Sequence, residues 1–300
     1  MDTETQEEVK DMGTMEKMFI AFGTVNHITV DFTLSERETV RQALERAERY
    51  MEEMDDRLSV FKEDSEISQI NRHAGLCDIQ VSEDTFTLLR LCRQYGNQTG
   101  GVFDITTKPL TDAGEPPTAA RVNYRDVLLD AKHRSVRLRH RGQGVQLGGI
   151  AKGYAADKIA VMFRASGVRS AVINLGGTVR HIGPSRRTGV RNPFSPGEVA
   201  VTFDSAGEVI VTSGLYERGS HIYDPATGQP AAADLVSATV VGDNGAAADA
   251  AATACIVLGT QKSVGLLSAF GLEGILIRKD GGIFATKGMQ ARITLGTVQK

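Results

Sequence analysis

Apolar residues at Val40, Leu44, Ala47, Met51, Met54 and Leu58 follow a helical spacing and lay one stripe along a long helix. Ser35, with Glu38 three residues on, predicts the start of that helix through a capping box. The methionines of the stripe read as core packing rather than a cofactor surface. Upstream, Phe19 to Phe32 alternates loosely and predicts strand with a turn near Gly23. Val60 to Ile67 predicts a strand end, an Asp/Ser turn and a short helix. Ser82 to Tyr95 predicts a second amphipathic helix, with Phe86, Leu89 and Cys92 or Arg93 on one face and Gly96 as its stop.

Gly100-Gly101 breaks the chain, and Thr111 to Thr118, with Gly114, Pro116 and Pro117, predicts a loop. Strands are predicted at Val136–Arg139, Gly144–Leu147, Ser170–Asn174, Thr178–Ile182, Glu198–Phe203 and Val209–Thr212. Ala151 to Ala165 predicts a helix stopped by Gly167. Ala246 to Leu258 predicts an alanine-rich helix and Ser263 to Phe270 a shorter one. The tail predicts strands at Gly274–Ile277, Ile283–Ala285 and Ala291–Thr294. Helices and strands mix without a strict βαβ repeat, so the expected class is α+β. Neither an internal repeat nor a long linker is visible, and residues 17–300 read as one domain.

The chain has 300 residues, an apolar fraction of 41% and a net charge of −3, enough for a substantial core. Nothing in that balance recruits nucleic acid or an anionic membrane by bulk charge. The basic bunches Lys132–Arg141 and Arg186–Arg191 alternate with small or apolar residues and read as solvated strand faces or loops. Cys77, Cys92 and Cys255 form no framework and read as reduced thiols; the six histidines show no metal-site spacing. Residues 1–16 are acidic, lack an apolar run and are expected to be disordered. No segment reads as long enough for a membrane span, and the expected location is cytoplasmic.

Chemistry concentrates in four small-residue segments. Leu147 to Asp157 puts Gly148, Gly149 and Lys152 at a predicted helix mouth, where backbone N–H groups favour anions. The same pattern also suits a tight strand-to-helix turn with a surface lysine. Asn174-Leu175-Gly176-Gly177 is the second, and Thr212-Ser213-Gly214 with His221-Ile222-Tyr223-Asp224-Pro225 the third. In the fourth, Ala248 to Thr253, Asp249 and Thr253 lie four apart among alanines and project from one helix face. A carboxylate and a hydroxyl so placed suit Mg²⁺; the alternative is a helix cap and a back-bonded threonine. His221, just before a turn, is either a general base or a structural histidine. Together the four segments suggest one elongated phosphate-bearing ligand.

In order, Leu58–Ile67, Thr99–Asp104, Leu147–Asp157, Val172–Gly177, Thr212–Pro230 and Ala248–Thr253 resemble the ApbE family, the FAD:protein FMN transferases. The resemblance implies a single-domain α+β fold with mixed sheets, flanking helices and a ligand cleft between its parts. It implies transfer of FMN from FAD to a Ser/Thr hydroxyl of an acceptor flavoprotein through a phosphoester, releasing AMP. It also implies Mg²⁺, with Mn²⁺ acceptable to the same oxygen donors. By position, Gly149, Asp249, Ala252 and Thr253 match the metal-binding residues. Phe22, Phe61, Gln146, Gly148, Lys152 and Ile222 match the FAD-binding ones, and His221 and Asp249 the catalytic pair. A homodimer is compatible with this.

The chain departs from the family pattern at Phe22-Gly23-Thr24, where Met-Gly-Thr is common, and at Gln146, where Asp is common. Residues Leu110 to Pro117 replace an aromatic, glycine-rich loop. Two other readings share the motifs: an FAD pyrophosphatase yielding FMN and AMP, and a flavin-binding protein without turnover.

Overall fold

A computed structural model describes residues 12–111, 121–216 and 221–295. It begins with a hairpin, β1 (Met12–Ala21) and β2 (Thr24–Thr33), paired along its whole length. Residues 12–16, expected to be disordered, are therefore strand; residues 1–11 lie outside the described residues. Phe19, Ala21, Ile28, Val30 and Phe32 face inward, whereas Met18, Ile20 and Val25 face out. The two-residue turn has positive φ at both Phe22 (55°) and Gly23 (65°), as a primed hairpin turn requires.

Helix α1 (Arg37–Leu58) buries the predicted stripe, with Met51 and Met54 fully enclosed. Its cap lies earlier than expected. The Thr33 N–H donates to Glu36 at 2.8 Å, and the chain passes through a short 3₁₀ turn before the helix. Glu38 pairs with Arg41 instead. Val60-Phe61 is not strand; the chain turns there into α2 (Glu66–Arg72), capped by Ser65. After β3 (Ile79–Gln80), α3 (Glu83–Gln98) starts at Ser82 as expected but runs through Gly96. Gly96 is there for proximity: a Cβ would sit 2.5 Å from the Tyr124 ring.

Helix α4 (Lys108–Thr111) follows, and most of the predicted loop, residues 112–118, lies outside the described residues. Strands β4 (Val127–Asp130) and β5 (Ser135–Leu138) join β3 in a small sheet. Residues 144–147, expected as strand, are irregular. Helix α5 (Ala151–Ala165) stops at Gly167 with φ 81°, as predicted.

The rest is mostly sheet: β6 (Ser170–Leu175), β7 (Thr178–Ile182), β8 (Arg186–Arg191), β9 (Val199–Ser205) and β10 (Val209–Gly214). A small hairpin, β11 (Tyr223–Asp224) and β12 (Gln229–Pro230), precedes β13 (Leu235–Gly242) and α6 (Gly245–Ala269). Gly259 (φ 76°) breaks α6 where two helices had been expected. The chain closes with β14 (Glu273–Arg278), β15 (Ile283–Ala285), α7 (Lys287–Gln290) and β16 (Thr294–Leu295). Part of the segment expected as the last strand, 291–292, is turn.

Eight strands form the main sheet in the order β1-β2-β6-β7-β10-β13-β14-β15. Mixed sheets had been expected, but every described strand pair is antiparallel. Helices α1 and α5 pack on its β1-β2-β6 end, and α6 packs on β10 and β13. The three-stranded sheet β16-β9-β8 covers the opposite face through Val201, Phe203, Ile210 and Ile275. Strand β13, covered on both faces, carries a nearly continuous buried run and lacks the alternation that marks a half-buried strand. By length and a mean hydropathy of 1.3, α6 could cross a membrane, contrary to the sequence expectation; here it is a core helix.

Asp31 joins β1, β2, β6 and β8. It accepts hydrogen bonds from Thr14 and Ser170, both at 3.0 Å, and from Arg186. Burial opposes its ionisation, but the Arg186 hydrogen bond, with Ser170 and Thr14, outweighs burial and holds the carboxyl below its ordinary value. A lowered carboxylate pKa stabilises the fold above the unfolded value of 3.8, and that contribution fades as pH falls below it. The melting temperature of Asp31→Asn is therefore expected to lie below that of the unaltered protein by a constant gap from pH 7 to pH 5 (roughly one unit above the ordinary carboxylate range). The gap should shrink under more acid conditions; a gap unchanged at pH 3 (below that range) would contradict this account.

Candidate active site

One end of the main sheet is open. The β1–β2 turn at Phe22, the β6–β7 turn at Gly176 and the last residues of β10 meet the N-terminal ends of α5 and α6 around a cavity of about 670 Å³. Pairing of β10 with β7 stops at Val211–Thr178, so Thr212, Ser213 and Gly214 run on with β13 as their one neighbour strand. Asn174 shapes the β6–β7 turn by accepting the Gly177 N–H at 3.0 Å. The volume lies within the range of small-molecule sites.

The two helices touch backbone to backbone. A Cβ on Gly153 of α5 would lie 2.0 Å from the Gly245 carbonyl of α6, and one on Gly245 would lie 2.2 Å from the Gly153 carbonyl. Each helix also lends the other a carboxylate. Asp249 of α6 accepts the Gly153 N–H at 3.0 Å, and Asp157 of α5 accepts the Gly245 N–H at 2.6 Å. Both N–H groups lie in a first helical turn, where no intrahelical acceptor reaches them. Asp157 is further held by Arg180 at 3.1 Å. Burial raises the pKa of Asp157, opposed by the Gly245 hydrogen bond and the Arg180 charge. Burial likewise raises that of Asp249, opposed by the Lys152 charge and the Gly153 hydrogen bond.

Asp249 is 3% exposed yet lines the cavity, and its Oδ1 has no protein hydrogen-bond partner among the described residues. One turn on, Thr253 Oγ1 lies 3.4 Å from Ser213 Oγ. Gly149 closes on the same point: a Cβ there would sit 2.9 Å from Thr253 Oγ1. A free carboxylate oxygen, the Thr253 hydroxyl and a backbone that a side chain would push away form an all-oxygen donor set, which fits Mg²⁺ or Mn²⁺. Among the described residues no three His, Cys, Asp or Glu side chains cluster as a metal site. Ala252, matched to the metal set by resemblance, is fully buried and does not line the cavity.

The remaining candidates line the same cavity. Gly148 and Lys152 stand at the α5 mouth, with Lys152 Nζ donating to the Gly148 carbonyl at 3.4 Å. Phe22 and Ile222 contribute apolar wall, and Phe61 stands 94% exposed at the rim. Gln146 donates to Thr107 Oγ1 at 3.4 Å, so its amide serves both the loop after Phe103 and the cavity. His221 is exposed and lines the cavity; Asp224 accepts the Ala226 N–H at 2.9 Å and is a turn former.

Three lining residues were not singled out from the sequence. Asp104 accepts the Thr106 N–H at 2.7 Å and the Tyr124 N–H at 2.8 Å, and so pins the loop that carries Phe103. Burial pushes its pKa up, against those hydrogen bonds. An Asp two residues before a threonine was the available signal, that of a capped turn. Thr178, 1% exposed, and Lys108 form part of the wall. Neither carries a local pattern that separates it from other strand and loop residues.

The chain is similar to known proteins over most of its length. The model of the ApbE family matches residues 22–276. A protein of Treponema pallidum named FAD:protein FMN transferase is 29% identical, over 91% of this chain and 87% of its own. A protein of the same name from Rhodobacter capsulatus is 40% identical over 71% of this chain and 46% of its own. Among solved structures, the ApbE protein from Thermotoga maritima superposes with a TM-score of 0.82 at 27% identity, covering 93% of this chain and 99% of that one.

The helix crossing gives a direct test. Gly153→Ala must push α5 off α6, an overpacking cost of about 1–3 kcal/mol or more. A clear fall in melting temperature is expected, with loss of ligand binding; a variant as stable as the unaltered protein would show that the crossing has slack.

Proposed function

Because the chain belongs to the ApbE family, we propose that it is a flavin transferase that moves FMN from FAD to a serine or threonine hydroxyl of an acceptor flavoprotein, releasing AMP. The observation that carries this reading is the meeting of two helix mouths, one half-satisfied buried carboxylate and two hydroxyls at one cavity. Such a meeting suits a pyrophosphate, with apolar walls from Phe22, Phe61, Phe103 and Ile222 for the flat rings.

Chain residues do the positioning. Gly148 to Lys152 bring first-turn N–H groups and one ammonium to the phosphates. Asp249 and Thr253, with Gly149 beside them, would hold Mg²⁺ or Mn²⁺, which would neutralise charge that builds on the pyrophosphate. The acceptor oxygen forms a bond to the FMN-side phosphorus as the bond to the AMP oxygen breaks. His221, on the cavity rim, takes the hydroxyl proton, and AMP departs with the bridging oxygen.

Chromatography of the protein mixed with FAD, Mg²⁺ and a peptide carrying a candidate Ser/Thr tests the reading. Flavin attached to the peptide with equimolar AMP is expected, and chelation of the metal should stop both. AMP with only free FMN would make the protein a pyrophosphatase, and intact bound FAD a flavin-binding protein. Asp249→Asn, which can still accept the Gly153 N–H, is expected to cut metal-dependent turnover about a hundredfold or more with little change in melting temperature. His221→Ala should slow transfer by about 10²-fold or more while FAD affinity, read by flavin fluorescence, changes far less. Equal losses in both would make His221 a binding residue.

A further inference from the structure

A threonine inside a helix ordinarily returns its hydroxyl proton to the carbonyl four residues back. This protein shows that habit elsewhere: Thr99, just past the end of α3, donates to the Tyr95 carbonyl at 2.8 Å, and Ser263 to the Gly259 carbonyl at 2.7 Å in α6 itself. Thr253 does otherwise. Its Oγ1 makes no such bond to the Asp249 carbonyl, and its hydrogen-bond partner is Ser213 Oγ at 3.4 Å, across from the end of β10. Ser213 occupies the stretch where β10 has outrun β7, so its side chain is held by pairing with β13 at Ala238 while it borders the cavity.

We propose that Ser213 is a positioning residue for the cation site: its oxygen takes the Thr253 proton and so leaves the Thr253 lone pairs turned towards the cavity. A hydroxyl that ligates a cation does so through a lone pair and must place its proton elsewhere. Ser213 is the hydroxyl placed to receive it, and Gly149, where a Cβ would crowd Thr253 Oγ1 at 2.9 Å, leaves that oxygen accessible. Asp249 supplies the charge of the site; Ser213 and Thr253 fix the direction of its second donor. The inference rests on the reading of the cavity as a metal-dependent FAD site.

The test reads binding rather than turnover. FAD is titrated into the protein by flavin fluorescence at a series of Mg²⁺ concentrations, without acceptor, for the unaltered chain, Ser213→Ala and Ser213→Thr. In the unaltered chain Mg²⁺ is expected to tighten FAD binding. In Ser213→Ala the Mg²⁺ concentration giving half of that tightening should rise about tenfold, with FAD affinity in the absence of Mg²⁺ and the melting temperature both unchanged. Ser213→Thr, which keeps the hydroxyl, should restore most of the effect. An unchanged Mg²⁺ requirement in Ser213→Ala would overturn the proposal. So would an equal loss of FAD affinity with and without Mg²⁺, which would make Ser213 a direct FAD contact. Absence of any Mg²⁺ effect in the unaltered chain would instead overturn the metal-dependent reading on which the proposal stands.

Discussion

Two helices whose backbones touch at Gly153 and Gly245 hold this molecule's chemistry in place. At that distance each helix start needs acceptors for its first-turn N–H groups, and each receives a carboxylate from its neighbour. The exchange is not symmetrical. Asp157 is satisfied by Gly245 and by Arg180, which itself also donates to the Asp243 carbonyl at 2.7 Å. Asp249 is satisfied on one oxygen only and faces the cavity with the other. A carboxylate removed from water and left half-paired is costly in a fold unless something else meets it. The same interaction that packs the helices thus keeps one oxygen in reserve for a cation and, through it, for phosphate.

The surrounding elements break local rules at the same place. Phe22 takes a left-handed backbone that ordinarily favours asparagine or glycine, and its ring lines the cavity. Strand β10 outruns its neighbour β7 and leaves three residues for ligand and site rather than for sheet. Departures of this kind collect at functional sites, because binding there compensates what the fold alone would not tolerate.

Legibility in the sequence followed burial geometry. The stripe of α1 and the strand alternation of β2 were readable because each element buries one face. Strand β13 was invisible because it is covered on both faces and so has no period to show. The capping box was placed at Ser35 and Glu38, but Thr33 and Glu36 form it; two adjacent cap-like patterns cannot be ranked without the preceding strand that ends at Thr33. The site was largely readable as four glycine- or alanine-rich segments, since close backbone approach needs small residues wherever it occurs. The pairing of Asp249 with Gly153, and of Ser213 with Thr253, was not readable. Each joins residues far apart in the chain through a helix crossing or a strand overhang that no local pattern records.

The account stands or falls on where the pyrophosphate lies. A crystal structure of the protein with FAD and Mg²⁺ tests that directly. The predicted result has the pyrophosphate between the α5 mouth and Asp249, with the ion about 2.0–2.1 Å from Asp249 Oδ1 and from Thr253 Oγ1. FAD bound with its phosphates away from Gly148–Lys152, or an ion held without Asp249, would contradict the account.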